Sequence, residues 1–225
     1  LTASGDIALR DGRLLRPLGI AFADSSEATA ALRRQIDIWK GRLLRLDVGA
    51  DARTDRWRRI LAWAMAEASV PGAPPVSLTQ ALLGDGAGLA DPAGLPRACH
   101  AGLFAAEQGA RRARRGLWAS QGGPLIDANQ PAAGLQAQIS RYVVFEGRVR
   151  RVKAGRQRSF VDFGRYGSGA AALAIPKRAL PLVLPLGLSL DDLKGKRIRA
   201  RGLLEWRAER PYMTLDTAGS IEVVN

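Results

Sequence analysis

Residues 120–134 (S-Q-G-G-P-L-I-D-A-N-Q-P-A-A-G) divide the chain in two. The stretch has no hydrophobic period and is dominated by glycine, proline and small side chains, which favour turns over helix or strand. A chain of 225 residues is long enough to bury two small cores. The expectation is a first domain over 1–119, a linker over 120–140 and a second domain over 141–225.

The first segment mixes both periodicities. Strands are expected over 6–10 and 13–18, because Asp11-Gly12 between alternating runs is a strong hairpin signal. Ser25 and Ser26 offer an N-cap for a helix running to about Trp39. Residues 42–47 alternate like a strand, and 59–66 form an apolar run suited to a buried strand. Helices are expected over 78–83 and 98–115, the second stopped by Gly116. The second segment offers five short strands, over 142–152, 159–163, 170–175, 197–206 and 212–224, with a helical piece at 188–193. Five strands with a helix between the third and fourth fit a small OB-type barrel. The fold class is β-rich α+β.

Composition removes several chemistries. The chain has one cysteine, Cys99, and one histidine, His100, so neither an internal disulfide nor a His/Cys zinc site can be assembled. His100 reads as a surface residue near a helix start, and Cys99 as a small buried one. No apolar run is long enough to cross a bilayer. What remains is carboxylate, arginine, lysine or hard-metal chemistry. Net charge is +13. Residues 1–120 hold 17 basic and 12 acidic side chains and residues 121–225 hold 17 and 9, so both halves attract polyanions.

Four motifs occur in order over residues 4–118. Ser4-Gly5-Asp6 precedes Asp11-Gly12-Arg13. Leu15-Arg16-Pro17-Leu18-Gly19-Ile20 follows. Then come D-R-W-R-R-I-L-A-W over 55–63, and Glu107, Ala110, Arg111, Gly116, Leu117 and Trp118. Together they resemble the thermonuclease (staphylococcal-type nuclease) family: its opening acidic turn, its "V-R-L-x-G-I" strand, its "D-x-Y-G-R-x-L-A" signature and its closing "A-E-x-x-A-R…G-L-W". The resemblance implies an OB-type five-stranded barrel with helices for the first domain. Residues 141–224 resemble an OB-like domain that follows such nuclease domains in some bacterial proteins.

The family's chemistry sets what each matched residue is expected to do. Calcium held by acidic oxygens polarises a phosphodiester, a carboxylate helps activate water, and two arginines clamp the phosphate in the transition state. By this resemblance Arg16 and Arg59 are the arginines, Asp6 is a metal ligand, and Ca²⁺ or another divalent cation is the implied cofactor. The family's "G-I-D-x-P-E" reads Gly19-Ile20-Ala21-Phe22-Ala23-Asp24 here. Ala21 replaces an expected ligand, Asp24 stands where the water-activating Glu is expected, and Arg58 replaces a glycine. Shortening Glu to Asp retracts the carboxylate by about 1.5 Å, and a misplacement of ~1 Å can cost ~10²-fold in rate. Glu27 is a neighbouring carboxylate that could substitute in part, or simply a helix-start Glu favoured by the dipole.

The leading expectation is a nucleic-acid-binding protein on a thermonuclease-like scaffold, with DNA or RNA backbone as partner and weak or absent phosphodiesterase activity. The alternatives are a working divalent-metal nuclease and a non-enzymatic envelope or protein-interaction module. Candidate nucleic-acid contacts are Arg58, Arg150, Arg199, Arg201, Tyr166 and Trp206, because single strands are held by cations and stacking rings. Leu1 in place of Met, with the many secreted members of the family, points to an exported protein, periplasmic or secreted, while leaving the cytoplasm open.

Overall fold

The chain reverses at Asp11-Gly12: Gly12 takes φ +85° and the Asp11 carboxylate accepts the Arg13 N–H at 3.0 Å. A computed structural model describes residues 6–48, 54–68, 72–120, 124–132, 135–165, 168–207 and 209–224. The chain divides into two compact units, Leu1–Gln121 and Gly122–Asn225.

In the first unit the hairpin joins β1 (Ile7–Ala8) and β2 (Leu14–Pro17). Next come β3 (Ile20–Phe22), α1 (Ser26–Trp39), β4 (Arg45–Asp47), β5 (Arg59–Ala66), β6 (Val76–Ser77), α2 (Leu78–Gly84), β7 (Gly88–Ala90) and α3 (Arg97–Arg112). The main sheet runs β1-β2-β5-β4, with β6 on the far end of β5; β3 and β7 form a separate pair. β2 and β5 are parallel, Leu14 beside Arg59 and Pro17 beside Ala62. Ser25 caps α1 as expected, and Ser77 caps α2 in the same way. Ser25 Oγ accepts the Ala28 N–H at 3.1 Å and Ser77 Oγ the Gln80 N–H at 3.3 Å, satisfying donors that a helix start leaves open. The core gathers Leu15, Ala62, Ala64, Leu82, Leu83 and Leu103. α3 ends at Arg112, three residues before the expected stop, because Arg114 turns left-handed at φ +50°. Gly116 serves closure instead: a Cβ there would sit 2.3 Å from the Gly86 carbonyl oxygen, which accepts the Leu117 N–H at 2.9 Å.

The second unit contains β8 (Leu125–Asp127), β9 (Tyr142–Arg148), β10 (Arg151–Lys153), β11 (Arg158–Asp162), β12 (Ala172–Pro176), α4 (Leu180–Val183), β13 (Arg197–Leu203), β14 (Glu205–Arg207), β15 (Arg210–Thr214) and β16 (Ile221–Val224). Two sheets, β16-β13-β9-β8 and β10-β11-β12-β15-β14, share one core of Phe145, Val161, Phe163, Leu173, Ile198 and Met213. The expected strands 142–152 and 197–206 each break in two, and each half joins a different sheet. Strands that switch sheets in this way make corners. Residues 120–140, read from composition as linker, carry β8, which pairs in parallel with β9 from Leu125↔Val144 to Asp127↔Glu146.

Among the described residues the strands form four sheets, none closed into a barrel, within a β-rich α+β architecture. Among the same residues no helix is long and apolar enough to cross a membrane. His100 is buried, against the expectation of a surface position: its Nε2 lies 3.2 Å from the Leu95 carbonyl oxygen and its ring packs near Phe104. Cys99 is half-buried.

Candidate functional site

Three charged side chains meet on one face of the first unit's sheet. The Leu14↔Arg59 pairing puts Arg59 on the same face as Leu14, and the two-residue period of a strand puts Arg16 there as well. The Ile7↔Leu15 pairing, extended by one step, brings Asp6 opposite Arg16. Asp6 is 4% exposed and takes both guanidiniums. Arg16 Nη1 donates to Oδ1 at 3.2 Å; Arg59 Nη1 donates to Oδ1 at 3.0 Å and to Oδ2 at 3.3 Å.

Arg59 is held from its other side by Asp55. The Asp55 carboxylate accepts the Trp57 and Arg59 N–H groups at 3.0 Å each and Arg59 Nε at 2.7 Å. The Arg58 N–H closes the turn on the Asp55 carbonyl at 2.9 Å. Arg58 sits at φ +61°, the left-handed backbone that glycine adopts without strain. The turn presents an aromatic ring between cations: Trp57 is 57% exposed, with Arg56 Cζ 3.9 Å and Arg59 Cζ 4.7 Å from its ring centroid. Arg16 lies over Phe22, 4.7 Å from that centroid.

The electrostatics follow from these contacts. The Arg59 hydrogen bond holds the Asp55 carboxyl below its ordinary value, and the same bond raises Arg59. Burial pushes the Arg16 guanidinium below its ordinary value, against the pull of Asp6. Arginine remains protonated throughout the range in which proteins fold.

Other expected residues lie elsewhere. Asp24 is exposed between β3 and the Ser25 cap. Ala21 lies within β3, paired with Leu89 of β7. Glu27 is exposed in the first turn of α1, where its own backbone N–H and the Ser26 hydroxyl hold its carboxyl below the ordinary value. Calcium takes about six to eight oxygen ligands. Ala21 brings no side-chain oxygen, both Asp6 oxygens already accept from guanidinium, and no group of three His, Cys, Asp or Glu gathers among the described residues. This donor set does not fit a calcium centre.

In the second unit, Arg199 sits between Glu146 of β9 and Glu222 of β16 in one cross-strand row. Arg199 Nη2 donates to Glu146 Oε2 at 2.6 Å and Arg197 Nη2 to Oε1 at 2.8 Å. Arg201 corrects the expectation of a surface contact: it is 1% exposed and its guanidinium pairs with Glu222. The alternation of 196–201 does place the arginines on one face, but carboxylates of the same sheet take them up. Trp206 is half-buried on β14 opposite Pro211, and Tyr166 lies outside the described residues. Arg150 is exposed, as are Lys153, Arg156 and Arg158 around the β10–β11 hairpin, and none of these four forms an ion pair among the described residues.

Asp55 and Trp57 were not singled out by sequence reasoning as site residues. Both lie inside the D-R-W-R-R motif, and the signal was an aromatic flanked by arginines. No family model matches the sequence, and no curated protein matches it.

Proposed function

We propose that the chain binds the phosphodiester backbone of single-stranded nucleic acid on a thermonuclease-like, OB-type scaffold, with weak or absent hydrolysis. The observation that carries this reading is the convergence of Arg16 and Arg59 on one anion position, beside the exposed Arg56-Trp57-Arg58 turn. Paired guanidiniums suit phosphate oxygens as well as carboxylate. Asp6 fills the anion position from within the chain, which favours holding a backbone nearby over turning substrate over. Trp57 offers a base-stacking face, and the exposed cations around the β10–β11 hairpin, without ion pairs among the described residues, add sequence-independent attraction. An exported location belongs to the same proposal and rests on the resemblance.

The test is fluorescence anisotropy with a labelled oligothymidylate across a salt series. If the turn and hairpin cations engage about four phosphates in all, the log–log salt slope is about −3. Arg56→Ala with Arg58→Ala should lower it by about one to two. A slope near zero, or no binding at low salt, would defeat the reading.

A further inference from the structure

The main sheet of the first unit ends in two strand edges, β1 and β4, that no other described strand covers. They stand at opposite ends of the strand order, yet residues from both sides line one open groove of about 720 Å³. Ile7 and Leu9 line it from the β1 side, Leu44 and Leu46 from the β4 side, and Ile36 and Trp39 from α1. Leu43 stands at the groove 92% exposed. Strand alternation sends Ile7 to the face opposite Asp6, so the groove is separate from the arginine site.

Its rim is basic. Arg10 and Lys40 are exposed and form no ion pair among the described residues. Arg13 is neutralised by Asp11. Arg42 lies over the Trp39 ring and donates to the Glu67 carbonyl oxygen.

Three features therefore coincide: backbone edges that no described strand covers, an aliphatic lining and cations at the mouth. Open edges recruit an extended chain through main-chain hydrogen bonds, and pockets take its alternate side chains. The lining does not suit nucleic acid, because Trp39 is buried and capped by Arg42, leaving no ring for a base to stack on. An open groove flanked by strand edges also suits a peptide better than a lipid chain, which buries best in a closed tunnel.

We propose that this groove takes an extended acidic peptide segment with alternating apolar side chains, added as a strand at the β1 or β4 edge. Its apolar side chains enter the groove and its carboxylates meet Arg10 and Lys40. The proposal does not rest on the nucleic-acid reading.

The experiment is anisotropy of a labelled peptide of alternating glutamate and valine with the full chain. A lysine–valine peptide and a glutamate–valine peptide N-methylated at every second residue serve as controls. The glutamate–valine peptide should bind and the lysine–valine peptide should not. N-methylation, which removes the strand-pairing donors, should weaken binding at least about tenfold. Arg10→Glu with Lys40→Glu, both at exposed positions, should weaken it about tenfold or more at an unchanged melting temperature. Equal binding of the lysine peptide, indifference to N-methylation, competition by laurate, or no binding at all would overturn the proposal. Because N-methylation is read on the unaltered chain, the test does not depend on the variant folding.

Discussion

Asp6→Asn should weaken the fold and strengthen binding of nucleic acid, and this opposition of signs is the sharpest consequence of the site. The carboxylate accepts three guanidinium hydrogen bonds, at 3.2, 3.0 and 3.3 Å. Charge-assisted bonds contribute about 1.5–3 kcal/mol each at best. Breaking a buried ion pair costs about 3–5 kcal/mol. The side chains of Arg16 and Arg59 keep 25% and 15% exposure, so water recovers part of the loss. A cost of about 2 kcal/mol follows, or about 6–10 °C in the melting temperature of a unit this size. Four of the five tryptophans (Trp39, Trp57, Trp63 and Trp118) belong to the first unit, so tryptophan fluorescence during urea unfolding reports mainly on it. The amide removes one negative charge from the anion position, and oligothymidylate affinity should rise about five- to tenfold at low salt. An unchanged midpoint would refute the stabilising role of Asp6. A fall in affinity would refute its role as an internal occupant of the phosphate position.

Trp57→Ala should leave stability within about 0.5 kcal/mol, because the ring is largely exposed. It should cost about tenfold in single-strand affinity by anisotropy, the loss of one stacked base. Arg58→Gly should stabilise the first unit by about 1 kcal/mol, because φ +61° costs a side chain roughly that much. Urea unfolding checks it, and a destabilised variant would deny that the turn is strained. Asp55 has its folded value below its unfolded one through Arg59. It therefore contributes stability that is present above about pH 4 and lost as pH falls through the lowered value. Melting curves between pH 6 and 3 should show a steeper acid loss for the native chain than for Asp55→Asn; parallel curves would remove Asp55 from the account.

What the sequence made legible was local. Ser25, Asp11-Gly12 and the apolar run of β5 each carry their own signal, a cap, a turn or a period, and each forms as expected. What stayed hidden depends on tertiary pairing. The short β3 and β7 hold only three residues each and find each other across α1, β4, β5, β6 and α2. β8 hides in a glycine- and proline-rich stretch because only Leu125, Ile126 and β9 make it a strand. The corner between β13 and β14 leaves the two-residue alternation of Ile198, Ala200, Leu204 and Trp206 unbroken, so the sequence reads it as one strand. At the site, Arg16, Arg59 and Asp6 were expected together only as what the family resemblance implies. That Asp6 is gripped by both arginines follows from register, which a linear motif does not contain. Arg201 misled for a related reason: alternation fixes a face, and the fate of that face depends on Glu222 and the neighbouring strands.

The most direct test of a binding scaffold with a self-occupied phosphate position is to incubate labelled single-stranded DNA and RNA with the full chain at low salt, in Ca²⁺ and in EDTA. Retention and cleavage are read from the same samples. The account predicts that intact strands are retained equally in both and released as salt rises. Cleavage that requires Ca²⁺ and disappears in Arg59→Ala would contradict it and make the site a working metal-dependent nuclease.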